Sequence, residues 1–243
     1  MFVCHLIVGF RYNYIEHTGM IGVLLTGGKG LRAYPTTKYI PKPLFKIAGK
    51  TLLQRNVEIL KDQLKVSELF IIVGHLKEQI FSHFDEHNYG IPVTFIEQKE
   101  QKGIGHALLQ AENKLIGKNF TVMLGDEFYY HSDHSKLLKL FENNKSLIIA
   151  FKEEEDIIII KKNYTGKFEE DRIISLHEKP NNPNTNIMGL GTYILNDKIF
   201  EYIRKTEPSN IRNEVEITDV ISNMAKKEKV YYNLLNCVYY NIN

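Results

Sequence analysis

An apolar run, Ile21-Gly-Val-Leu-Leu-Thr26, opens directly into a loop that holds Gly27, Gly28 and Gly30 together with the cations Lys29, Arg32 and Lys42. Glycines let backbone N–H groups come close to phosphate oxygens, and the cations supply matching charge. A strand followed by such a loop is built to hold a polyphosphate. What is done with that polyphosphate has to be read further along the chain.

Two familiar phosphate motifs are excluded on their own terms. Gly28-Lys-Gly30-Leu-Arg-Ala33 matches the relaxed dinucleotide fingerprint, which needs a helix starting in the loop and an acidic residue about 20 positions later. Here Pro35 follows at once, and no Asp or Glu occurs between Tyr34 and Val57. Gly49-Lys50-Thr51 has the tail of a P-loop, but the leading glycine would fall at Leu44, inside the stiff Pro41-Lys42-Pro43 neighbourhood. A third decoy, His83-Phe-Asp-Glu86-His87, spells an inverted zinc-protease motif. Asn88-Tyr-Gly-Ile-Pro92 ends that helix immediately, which places His87 at a helix C-terminus, where the dipole favours it.

Beyond the loop, apolar runs alternate with helical periodicity. Leu52–Leu64, Leu76–Phe84, His106–Leu115 and Ser135–Glu142 read as helices, and Leu69–Val73, Val93–Glu97, Phe120–Leu124 and Leu147–Phe151 as strands. The alternation predicts βαβ units and a doubly wound α/β sheet. After Phe151 the pattern turns mixed. Ile157–Ile160, Gly166–Glu169 and Arg172–His177 read as strands of a hairpin region, and Met188–Leu195 as another strand. Helices are expected near Lys198–Arg204 and Ile217–Lys227, with a closing strand at Cys237–Asn243.

The motif set resembles the sugar-nucleotidyltransferase family, also called NDP-sugar pyrophosphorylases. The resemblance lies in Gly27 to Arg32, Pro35 to Thr37, Pro41 to Leu44 and Ile47 to Leu53, and departs from the family at Leu31, where relatives carry a small hydroxyl residue. It implies a Rossmann-like doubly wound mixed sheet of the nucleotide-diphospho-sugar transferase type. It also implies transfer of a nucleotidyl group from a nucleoside triphosphate to a sugar 1-phosphate, releasing pyrophosphate. UTP or dTTP and glucose 1-phosphate are the favoured pair. Alternatives are a mannose-1-phosphate guanylyltransferase, a cytidylyltransferase acting on a non-sugar phosphate, and a catalytically silent sugar-nucleotide-binding regulator.

The same resemblance assigns roles. Arg32 and Lys29 would hold the departing phosphates, with Gly27, Gly28 and Gly30 giving close backbone, and Lys42 would reach the α-phosphate or the sugar phosphate. Gln98 and Gly103 would meet the base. Glu178 would take the sugar hydroxyls, Lys179 the sugar phosphate, and Gly189 would line the sugar pocket. Asp126, after an apolar strand, and Asp219, in Glu216-Ile-Thr-Asp219, would hold Mg²⁺. The attacking phosphate oxygen is already ionised, so the chemistry asks for cations and alignment rather than a Ser–His–Asp apparatus.

Composition sets outer limits. The chain has 243 residues, 43% hydrophobic and 25% charged, which suits one large α/β domain. A net charge of +2 gives no electrostatic case for a nucleic-acid partner. Cys4 and Cys237 form no metal or redox motif, which suits a reducing cytoplasm. The apolar stretch Phe2–Phe10 is about half the length of a membrane span, and no membrane partner is expected. Residues 1–19 are expected to be an N-terminal extension of unknown role and 20–243 the nucleotidyltransferase domain. A homo-oligomer stays open.

Overall fold

The computed structural model describes residues 19–144, 146–209 and 214–242; the greater part of the expected extension therefore lies outside the described residues. The first strand, β1 (Ile21–Leu25), leads into two short 3-10 turns, Leu31–Ala33 and Thr36–Lys38, and a third at Lys42–Leu44. A small hairpin, β2 (Lys46–Ile47) and β3 (Lys50–Thr51), precedes α1 (Leu52–Glu58), whose N-terminus is capped by Thr51 Oγ1 accepting from Gln54 N at 3.0 Å. The chain continues through β4 (Glu68–Val73), α2 (Lys77–Glu86), β5 (Val93–Glu97), α3 (Gly103–Leu109), α4 (Glu112–Leu115) and β6 (Asn119–Leu124).

The second half runs β7 (Glu127–Tyr130), α5 (Ser135–Asn144), β8 (Leu147–Glu153), α6 (Ile157–Lys162), β9 (Tyr164–Glu169) and β10 (Arg172–Glu178). It finishes with β11 (Ile187–Asn196), α7 (Lys198–Lys205), α8 (Ile217–Ala225), β12 (Val230–Leu234) and β13 (Val238–Asn241). Nine strands form one mixed sheet in the order β5-β4-β1-β6-β11-β8-β12-β10-β9. The β5-β4-β1-β6 half is parallel, as βαβ crossovers require, and β11 enters antiparallel between β6 and β8.

Apolar side chains on the two faces make two cores. One joins Val23, Phe120, Val122 and Tyr193 to Leu108 of α3, Ile199 of α7 and Val220 of α8. The other joins Leu24, Ile71, Met123 and Ile194 to Leu53 of α1, Ile80 of α2 and Leu137 of α5. Helices on both faces explain why β1, β4 and β6 are apolar nearly throughout. The expected doubly wound α/β class is the observed one.

One element differs in kind from its sequence reading. Ile157–Ile160 forms the start of helix α6, not a strand. Asp156 Oδ1 accepts from Ile158 N at 2.8 Å and caps the helix, while Lys161 and Lys162 sit at its C-terminal end, where cations are favoured. Local capping outweighs the β preference of four isoleucines. Four strands have no sequence expectation: β2 and β3 of the small hairpin, and β7 and β12. β7 pairs antiparallel with β13 in a separate ribbon beside the main sheet, bringing Asn241 opposite Glu127.

Candidate active site

The C-terminal ends of β1, β4, β5 and β6 open onto a cavity of about 720 Å³, the place where open α/β sheets bind ligands. Its lining includes Gly27, Gly28, Lys29, Gly30, Arg32 and Lys42 from the segment after β1. Gly30 adopts φ 62°, and a Cβ there would sit 2.8 Å from Thr37 Cγ2. The turn therefore demands glycine on both conformation and space. Lys42 follows Pro41 and is buried, with Nζ 3.3 Å from Asp126 Oδ2 across the base of the cavity. The ion pair holds the ammonium against the strand end that carries Asp126.

Gln98 and Gly103 also line the cavity. Gln98 Nε2 donates to the Gly103 carbonyl at 3.2 Å and lies 3.1 Å from His106 Nδ1, so this glutamine shapes the turn at the start of α3. Gln101 lines the same region, and sequence reasoning passed it over. The signal was present, since it lies between Gln98 and Gly103 in one loop.

Across the sheet, Glu178, Lys179 and Gly189 line the far side. Lys179 takes φ 44°, uncommon for a side-chain-bearing residue, and its N–H donates to Asn163 O at 2.8 Å. That turn ends β10 at the cavity. A Cβ on Gly189 would fall 1.9 Å from the Tyr164 ring, so the glycine makes room for the tyrosine. Tyr164 Oη donates to Leu190 O at 2.7 Å, and Tyr193 lies beside it in the lining. Burial pushes both phenols up and keeps them neutral.

Of the predicted residues, only Asp219 is absent from the lining. It is exposed in the first turn of α8, whose buried positions belong to Ile217, Thr218 and Val220. Asn241 of β13 lines the cavity together with Asp126. Its Oδ1 is buried with no hydrogen-bond partner, and the next residue's N–H donates to Asp126 O at 3.2 Å. A carboxylate and an orphaned amide oxygen in one cavity lining are hard-oxygen donors of the kind Mg²⁺ prefers. Strand alternation carries the signal: Tyr240 faces out and is exposed, so Tyr239 and Asn241 face in.

Beneath this pair lies Glu127, buried and accepting from Tyr239 Oη at 2.8 Å, from Gly191 N at 2.8 Å and from Tyr129 Oη. Burial pushes its carboxyl up to about 7, against the lowering effect of the tyrosine and backbone donors. One side chain thus pins β7, β11 and β13 together below Asp126. Sequence reasoning did not single it out.

A family model described as nucleotidyl transferase matches residues 21–240. The bifunctional protein GlmU of Methanocaldococcus jannaschii is 35% identical, with the match covering 87% of this chain and 48% of that protein. The chain therefore spans about half the length of that relative. The UTP–glucose-1-phosphate uridylyltransferase AglF of Haloferax volcanii is 32% identical over 83% of this chain and 82% of its own length. A crystal structure of a UDP-glucose pyrophosphorylase complexed with UDP-glucose superposes with a TM-score of 0.82 at 26% identity, covering 91% of this chain and 92% of that one. With the glycine loop, the Lys42–Asp126 pair and the sheet order all in place, the chain belongs to the nucleotidyl transferase family.

Proposed function

We propose that this chain transfers a nucleotidyl group from UTP or dTTP to glucose 1-phosphate, giving the NDP-sugar and pyrophosphate. The observation that carries the reading is the Lys42–Asp126 pair at the base of one cavity, with the cationic glycine loop on one side and Glu178, Lys179 and Gly189 on the other. Two anions brought to the same base need their charge neutralised and their reacting atoms aligned.

On this reading Lys29 and Arg32 hold the β- and γ-phosphates, and the backbone at Gly27, Gly28 and Gly30 approaches them closely. Gln98, Gln101 and Gly103 face the base. Glu178 accepts from sugar hydroxyls, Lys179 binds the sugar phosphate, and Tyr164 and Tyr193 form an apolar floor made possible by Gly189. A phosphate oxygen of the sugar 1-phosphate attacks the α-phosphorus in line, the bond to the β-phosphate oxygen breaks, and pyrophosphate leaves. Lys42 stabilises the charge that gathers on the α-phosphoryl oxygens. Asp126 and Asn241 would hold Mg²⁺, which when bound supplies further charge neutralisation at the phosphates.

No helix among the described residues is long and apolar enough to cross a membrane. A cytoplasmic enzyme acting on small phosphorylated substrates is the matching proposal. The test is pyrophosphate release with Mg²⁺ across UTP, dTTP, GTP, CTP and ATP, each paired with glucose, mannose and amino-sugar 1-phosphates and with a polyol phosphate. Turnover with UTP or dTTP and glucose 1-phosphate supports the proposal. Turnover with only GTP and mannose 1-phosphate, or only CTP and a polyol phosphate, replaces it, and nucleotide binding without turnover points to a regulator.

A further inference from the structure

The glycine loop has little apolar anchorage. The 3-10 turn Leu31–Ala33 buries nothing, and Leu31 and Tyr34 are 75% and 64% exposed. Its shape must therefore come from polar ties, and these converge on one place. β4 ends at Val73, and two residues on, after Gly74, His75 holds both ends of the loop. His75 N donates to Gly27 O at 3.2 Å, at the loop's entrance. His75 Nε2 lies 2.8 Å from Thr37 O, at its exit. A carbonyl only accepts, so Nε2 carries the proton and donates.

Thr37 passes the constraint inward. It is buried, its Oγ1 donates to Gly30 O at 2.9 Å, and its methyl packs where a Gly30 Cβ would be. One turn further into α2, Gln79 Nε2 donates to Tyr39 O at 2.7 Å. The path His75 to Thr37 to Gly30 thus connects the end of β4 to the glycine whose left-handed turn aims the loop backbone. A site for a polyanion gains from donors fixed before the ligand arrives, because ordering a loose loop on binding weakens affinity.

We propose that His75 is a positioning residue for the triphosphate: it touches no substrate and acts by fixing Thr37 and Gly30. The inference rests on the nucleotide reading of the loop. The tie is independent of the charge on the ring, since Nε2–H donates in the neutral tautomer and in the cation alike. A role in proton transfer would instead tie activity to the imidazole itself.

The experiment compares the full chain with His75→Ala, His75→Asn and His75→Gln. The glutamine amide reaches about as far as Nε2, whereas the asparagine amide falls short. Inorganic tripolyphosphate binding is measured by calorimetry, and KM is measured for the nucleotide and for the sugar 1-phosphate separately. His75→Ala and His75→Asn are expected to weaken tripolyphosphate and raise the nucleotide KM about tenfold, the effect of losing roughly 1.4 kcal/mol. The sugar-phosphate KM and the unfolding temperature stay put, and His75→Gln restores both readouts at every pH tested.

Equal tripolyphosphate binding by the parent and His75→Ala overturns the inference while leaving the nucleotide reading intact. So does failure of His75→Gln to rescue, or a rise in both KM values together. A parent protein that binds neither tripolyphosphate nor any nucleoside triphosphate defeats the nucleotide reading itself.

Discussion

On one side of the cleft, Gly27, Gly28, Lys29, Gly30, Arg32 and Lys42 arrive from a single continuous segment after β1. On the other, Tyr164, Glu178, Gly189 and Asn241 come from β9, β10, β11 and β13, with Tyr164 and Gly189 buried and Glu178 and Asn241 half-buried. The first side is a surface loop shaped by hydrogen bonds; the second is the rim of the hydrophobic core. Change on the loop side should therefore alter binding with little effect on stability, while change on the core side should alter both.

Asp126 lies between the two sides, and its replacement gives the largest expected effect. Asp126→Ala removes the ion-pair partner of buried Lys42 and one of the two oxygen donors proposed for Mg²⁺. We expect kcat to fall about 10³-fold, the scale seen when a preorganised electrostatic group at a reaction centre is deleted. The carboxylate is one-third exposed, but its loss leaves the buried Lys42 ammonium unpaired, so the unfolding temperature should fall as well. Near-normal turnover by a folded Asp126→Ala protein would remove the mechanism.

Glu127 tests the core side through pH. Its folded carboxyl is raised to about 7 by burial, so the folded chain binds this proton more tightly than the unfolded chain, whose carboxyl titrates near 4.5. Stability from this group is complete below about pH 4.5 and is lost as pH rises to about 7, by roughly 3 kcal/mol. Glu127→Gln keeps the shape and stays neutral. Denaturant titrations from pH 4.5 to 8 should show the decline in the parent and its absence in the variant. Parallel curves would mean that Glu127 is ionised at no cost.

Two glycine substitutions sharpen the contrast further. Gly189→Ala places a methyl 1.9 Å from the Tyr164 ring, and overpacking of that kind costs about 1–3 kcal/mol. It should lower the unfolding temperature and raise the KM for the sugar 1-phosphate. Gly30→Ala forces a side chain into φ 62° against Thr37, and should raise the KM for the nucleotide with a smaller loss of stability. If both variants raise the same KM, the cleft is not divided as described.

This division also explains what the sequence could reveal. β4 and β6 each extend their expected runs by one residue, because strands covered on both faces are written as continuous apolar runs, and the edge strand β5 spans the expected Val93–Glu97. The loop side was equally legible, since its contacts are contiguous in the chain. The core side was not. Tyr239 and Glu127 meet across 112 residues, and nothing local to Glu127-Phe-Tyr-Tyr130 announces a ribbon with the last strand. Ile157–Ile160 misled for the opposite reason: a local β preference yielded to the Asp156 cap.

Asp219 and Asn241 put that limit to its smallest and sharpest test. Both carry an oxygen that could bind a cation, and the segment around Asp219 resembles the family's, yet of the two only Asn241 lines the cavity with Asp126 and has a buried oxygen without a partner. Asn241→Ala should raise the Mg²⁺ concentration needed for half-maximal turnover about tenfold, the low end for loss of one ligand-shell contact. Asn241→Asp should restore tight binding, because a carboxylate is the stronger Mg²⁺ donor. Asp219→Asn should leave the Mg²⁺ dependence unchanged. A shift with Asp219→Asn and none with Asn241→Ala would return the second oxygen to α8, and would mean that α8 turns on loading to bring an exposed carboxylate into the cleft.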